Sequence, residues 1–163
     1  MTFRRIYLTI LGMTAINYAM MLFFSLPVLV SEANGLWPFD ARIFGYSVEQ
    51  ARIYISTISN EGLAFYLTTQ SMLDFSFPAL YALSLILTFY HLAPKLPVLY
   101  LLPLAAALFD YYENATVTRI LLSAEPEAAL VGLASLLTQL KYAAIALSLL
   151  AILWLWLKGK RDG

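Results

Sequence analysis

The chain reads as an all-α integral membrane protein: a bundle of four transmembrane helices, with an amphipathic helix in the outer loop between the first and second. Three observations predict this. Of 163 residues, 61% are hydrophobic and only 12% charged, and the mean hydropathy of +0.76 lies well outside ordinary soluble domains. The apolar residues gather into four stretches, each long enough at ~20 residues to cross a bilayer. Tryptophans and basic residues stand at the edges of those stretches, as at a membrane interface. We take residues 1–163 as a single membrane domain.

The first predicted span covers residues 6–30, behind Arg4 and Arg5. That opening also has the form of a signal peptide, with Ser31-Glu32-Ala33 as a loose cleavage site. The apolar stretch exceeds the usual ~7–15 residues of such a peptide, so we read a retained helix. Asn17 sits near its midpoint, on one face with Ile10, Met13, Met21 and Phe24. An amide there serves as interhelical glue or as a ligand contact.

Residues 31–62 form the outer loop, with Gly35, Pro38 and Gly45 as turn makers and Trp37, Phe39, Phe44 and Tyr46 as interfacial aromatics. Within it a surface helix is predicted over 47–59. Ser47 is its N-cap and Gln50 completes a capping box. Val48, Ala51, Ile55 and Ile58 make an apolar stripe opposite Glu49, Arg52, Ser56 and Ser59, which suits a helix lying flat on the membrane. It is expected as a packed connector, or alternatively as a lid.

The second span covers 63–92. Gln70 and Asp74 are one turn apart, Tyr81 continues their face, and Pro78 removes one backbone hydrogen bond just beyond Asp74. A turn holding His91 and Lys95 leads to the third span, 97–123, where Asp110, Glu113 and Asn114 at i, i+3 and i+4 share one face. Arg119, near its end, is expected to snorkel outward. The fourth span, 128–157, carries Lys141 near its middle. Ala134, Thr138, Ala144 and Ser148 share its face as a row of small residues, so Lys141 points inward. Trp154 and Trp156 precede Lys158, Lys160 and Arg161, an aromatic belt with a basic anchor.

Basic residues without acids mark the N-terminus, the His91–Lys95 turn and the start of the C-terminal tail. The positive-inside rule therefore places both termini in the cytoplasm, in a multi-pass protein of the inner or plasma membrane if the source is bacterial. Counted at ~1.5 Å per residue, Asn17, Asp110 and Lys141 reach the middle of the membrane, with Asp74 and Glu113 slightly outward. Four helices thus supply polar groups at one depth. A lone charge there costs about 2.5–3.5 kcal/mol, so Lys141 is expected to meet at least one of Asp74, Asp110 and Glu113.

This cluster defines the candidate site. Asp110, Glu113 and Asp74 are its candidate catalytic acids; Asn17, Gln70, Phe77, Tyr81, Tyr112, Asn114 and Lys141 are its candidate substrate-binding residues. The expected occupant is a small hydrophobic or lipid-like molecule, held in a binding or enzymatic pocket. The alternatives are a structural subunit of a membrane complex, with the cluster as a buried polar network, and a proton- or cation-coupled transporter. Zero Cys and one His leave no thiolate or histidine metal cluster, and no cofactor is expected. Membrane lipids are expected partners, as is a homo-oligomer or larger complex. Zero formal net charge and the lack of a basic patch argue against nucleic acid.

Four spans, cytoplasmic termini and carboxylates inside the bundle, with Phe77-Pro78-Ala79-Leu80-Tyr81 following an acid, resemble the sterol-isomerase and sigma-2-receptor group at the level of architecture. Lys141 and Asp110-x-x-Glu113-Asn114 are not matched to that group's pattern. The resemblance implies only that such a layout can house a lipid-like ligand.

Overall fold

The computed structural model describes residues 2–160; Met1 and residues 161–163, including Arg161 of the predicted anchor, lie outside them. The chain is 84% helical, with no strand among the described residues. Helix α1 spans Phe3–Glu32 and α3 spans Asn60–Leu92. Between them lies the short α2, Val48–Thr57. Helix α4, Leu101–Leu121, follows a 3-10 turn at Pro97–Tyr100, and α5 spans Ala128–Gly159.

Three of these helices, α1, α3 and α5, are long and apolar enough to cross a membrane, with hydropathies of 1.7, 1.6 and 1.9. Helix α4 has 21 residues, but Asp110, Glu113, Asn114 and Arg119 interrupt its apolar run, and it is not among them. Long apolar side chains nevertheless cover the outside of all four long helices, including Phe23, Phe75, Leu108 and Leu150.

Local chemistry accounts for the helix ends. Both halves of the Ser47/Gln50 capping box are present: Gln50 N donates to Ser47 Oγ at 3.2 Å, and Ser47 N donates to Gln50 Oε1 at 2.9 Å. Helix α3 starts three residues earlier than periodicity predicts, because Ser59 caps it by accepting from Gly62 N at 2.9 Å. Ser59 is also tied to the end of α1. Its N–H donates to the Glu32 carbonyl at 2.9 Å and its hydroxyl donates to the Glu32 carboxylate. Gly62 allows this approach, since a Cβ there would run into Glu32 and Ile58.

Two wide π turns interrupt the long helices, Met21–Ser25 in α1 and Tyr66–Gln70 in α3. The first lies just before Pro27, which has no N–H to give the preceding turn and crowds it sterically. The two turns meet, and Ser25 Oγ donates to Gln70 Oε1 at 2.5 Å. Such turns often mark functional positions.

Helix α5 packs along α4, α4 against α3, and α3 against α1; no extensive contact joins α1 to α5. The loop after α1 occupies that open side. Phe39 and Tyr46 of the loop, with Ala51 and Tyr54 of α2, pack on Tyr66, Val117, Ile120, Val131 and Ala134 in the larger apolar core. Helix α2 thus packs on the core through Ala51 and Tyr54. A second core of Tyr81, Ala82, Ala106, Ala107 and Ala144 lies toward the other end. Along α4 and α5 the polar residues fall between the two cores.

Candidate functional site

The spacing on α4 turns Asp110 and Glu113 to the same side, and both are buried, Glu113 completely. Helix α5 brings Lys141 against them, with its row of Ala134, Thr138, Ala144 and Ser148 buried on the same face. The Lys141 ammonium lies 3.0 Å from Asp110 Oδ1 and 2.6 Å from Glu113 Oε2. Glu113 Oε1 accepts from Thr138 Oγ1 at 2.5 Å. One buried cation is thus held by two anions: Lys141 donates a charge-assisted hydrogen bond to Asp110 and forms an ion pair with Glu113. The hydroxyls of Tyr46 and Tyr81 are also buried, with no hydrogen-bond partner among the described residues.

Asp74 belongs to a second group. Its Oδ1 accepts from Gln70 Nε2 at 2.8 Å, the contact that the i, i+4 spacing predicts. Pro78, four residues on, cannot donate to the Asp74 backbone carbonyl. The Asn114 side-chain amide does so instead, at 3.3 Å, and Tyr111 OH donates to the neighbouring carbonyl of Phe75 at 3.0 Å. Helix α4 thereby repairs the proline break in α3.

The loop supplies a residue absent from the predicted set, Asp40. It follows the buried Pro38 and Phe39 and sits in a 3-10 turn, Phe39–Ala41. Tyr66 OH donates to Asp40 Oδ1 at 2.6 Å, Gln70 Nε2 approaches Oδ2 at 3.4 Å, and Tyr142 OH donates to its backbone carbonyl at 3.0 Å. Gln70 therefore bridges two carboxylates, Asp40 and Asp74. Among the described residues neither forms an ion pair with a Lys or Arg; Lys141 is held by the other two acids.

Two cavities reach this group. One of ≈ 220 Å³ lies between α3 and α4, lined by Asp40, Asp74 and Asn114 with Tyr66, Phe75 and Tyr111. The other, ≈ 180 Å³, is lined by Leu22 and Leu26 of α1, Trp37 and Asp40 of the loop, Gln70 and Tyr142. Asp40 and its partners stand between them.

The structure thus divides the predicted site. It brings Asp110, Glu113 and Lys141 together, with Tyr81 buried beside Asp110, and it brings Asp74 and Asn114 together at the first cavity, with Gln70 bonded to Asp74 and lining the second. Phe77 is partly buried and packs on Tyr81, ring centroids 5.2 Å apart, and on Tyr18. Asn17 ties α1 to α3, donating to Ser76 Oγ at 2.5 Å, away from the carboxylates. Tyr112 is not brought to the site. It is 65% exposed on the outside of α4, because two residues along a helix turn a side chain to the far face from Asp110.

Beyond Asp40, the sequence reading missed Tyr66, Tyr142 and Thr138. Proximity to Gln70 and Lys141 on their own helices was the available signal. Among the described residues no group of three or more His, Asp or Glu is placed to hold a metal ion. No protein-family model, curated protein or solved structure matches this chain.

Proposed function

We propose that this is a four-span membrane protein, both termini cytoplasmic, that binds a small amphiphilic molecule in the cavity between α3 and α4. The observation that carries this reading is a difference between two acid groups. Asp110 and Glu113 already hold Lys141, whereas Asp40 and Asp74 share one neutral amide and line a cavity with aromatic walls. Two carboxyls near each other inside a membrane favour a ligand that brings a cation or hydrogen-bond donors. At ≈ 220 Å³ the space is below the roughly 300–1,000 Å³ of a drug-sized pocket, so it suits a head group whose apolar part lies among lipid tails.

In an enzymatic version, Asp74 and Asp40 would exchange a proton with the bound head group, one protonated and one ionised. The triad of Lys141, Asp110 and Glu113 then fixes helix register rather than touching the ligand. A structural subunit is the second reading, and the internal pairing of that triad favours it: Lys141 has two anions and Glu113 has Thr138 as well.

Non-denaturing mass spectrometry of gently purified protein separates the two readings. The pocket reading expects a discrete co-purified mass, lost in Asp74→Asn and kept in Tyr112→Leu, with both variants folded by circular dichroism. Absence of any specific mass in the wild type, or equal retention in Asp74→Asn, would leave the structural reading standing.

A further inference from the structure

The loop after α1 is built inside out for a segment in water. Its acid, Asp40, is turned inward onto Tyr66, Gln70 and Tyr142, while three large apolar side chains, Trp37, Ile43 and Phe44, are turned outward. Phe44 is 95% exposed. We infer that residues 36–46 form a re-entrant segment seated in the outer half of the membrane, with Trp37, Ile43 and Phe44 against the acyl chains of outer-leaflet lipid. The inference rests on the reading of the long helices as spans.

Depth is the first argument. The cavity beside the segment is walled by Leu22 and Leu26 of α1 and by Gln70 of α3. Leu22 lies about 7 Å and Leu26 about 13 Å outward of the α1 midpoint, and Gln70 about 9 Å outward of the α3 midpoint, at ~1.5 Å per residue. The hydrocarbon half-thickness is about 15 Å. The segment also fills the side where α1 and α5 make no extensive contact, so lipid is what it meets there.

Backbone accounting is the second. Irregular backbone at membrane depth is tolerated only where its polar groups are satisfied by protein or by a water-filled cavity. Here the protein supplies partners on the inward side of the segment, while the N–H groups of Ile43 and Phe44 have none among the described residues. Arg42 Nε and Nη2 donate to the Trp37 carbonyl at 2.9 and 2.8 Å. The carbonyls of Pro38, Phe39 and Arg42 accept from Ala41, Arg42 and Gly45 at 3.3, 3.1 and 2.7 Å. Tyr142 takes the Asp40 carbonyl, and Tyr46 N donates to Ser135 Oγ at 2.9 Å. Two of these partners, Tyr142 and Ser135, come from α5, so the segment is fastened to a long helix on its protein side.

The chain has no cysteine, so single-cysteine variants take one spin label each. Ile43→Cys and Phe44→Cys would be labelled in phosphatidylcholine–phosphatidylglycerol vesicles, beside Leu150→Cys on the exposed face of α5 and Glu125→Cys in the α4–α5 loop as references. Collision with oxygen reports lipid, and collision with a water-soluble nickel chelate reports water. The oxygen-to-nickel ratio at both test positions is expected to match Leu150 and exceed Glu125 severalfold. Test positions that match Glu125, while Leu150 stays lipid-like, overturn the re-entrant segment alone. A water-exposed Leu150 overturns the spanning reading beneath it. Dipolar broadening between Phe44 labels would assign the patch to a second copy of the chain and overturn lipid contact.

Discussion

The Asn114 side chain donates to the backbone carbonyl of Asp74 at 3.3 Å, and that carbonyl is the one Pro78 leaves without a helical donor. The amide on α4 and the proline on α3 therefore form one device. Asn114→Leu should expose the broken bond and lower stability by about 1–3 kcal/mol, the range for a buried group left unpaired. Pro78→Ala restores an N–H one turn away, so adding it to Asn114→Leu should recover much of the loss. Reversible unfolding in mixed detergent micelles measures the coupling. Strictly additive effects would mean that the amide and the proline do not communicate.

How far this site could be read from sequence depends on where its residues lie. Asp110, Glu113 and Lys141 were legible because a charge in an apolar helix demands a partner, and helical spacing puts the two acids on one face. Asp40 was not legible. It lies in a loop that reads as a polar excursion, and only the dense aromatics around it, Trp37, Phe39, Phe44 and Tyr46, hinted at a segment with its own core. The π turns and the α1–α3 seam of Thr14 with Ser84 and Tyr7 with Thr88, at 2.8 and 3.1 Å, arise from contacts between helices. Periodicity within one helix carries no record of those.

Lys141→Met would leave two buried carboxyls without their cation. Breaking a buried ion pair from one side typically costs about 3–5 kcal/mol, whereas replacing all members with neutral groups costs far less. Lys141→Met should therefore be strongly destabilised, and the triple variant with Asp110→Asn and Glu113→Gln should regain most of the loss. Thermal melts followed by circular dichroism would show the order. A single variant as stable as wild type would mean that the triad contributes nothing to folding.

Gly35 and Gly45 both hold positive φ, +88° and +83°, but only one has neighbours. A Cβ on Gly35 meets open space, whereas on Gly45 it would collide with Ser135 Oγ and the Gln139 amide of α5. Gly35→Ala should cost about 1 kcal/mol from backbone strain alone. Gly45→Ala adds displacement of the loop and loss of the Tyr46–Ser135 hydrogen bond, for a total of about 3 kcal/mol. Equal losses at the two positions would mean that the loop is not fastened to α5.

Tyr54 of α2 is fully buried, and its hydroxyl has no hydrogen-bond partner among the described residues. Burial pushes its phenol above the ordinary range, with the Asp40 charge adding to the effect. For an acid raised on folding, the neutral form is the one the fold accepts. Its contribution is complete below the unfolded value of about 10 and is lost as pH climbs from there toward the folded value. Tyr54→Phe keeps the ring in the core and removes both the titration and the unpartnered hydroxyl. At neutral pH it should melt at or above the wild-type temperature. Between about pH 9 and 11 its melting temperature should fall less steeply than that of wild type. A Phe variant with an unchanged alkaline slope would assign the high-pH loss to other tyrosines and lysines.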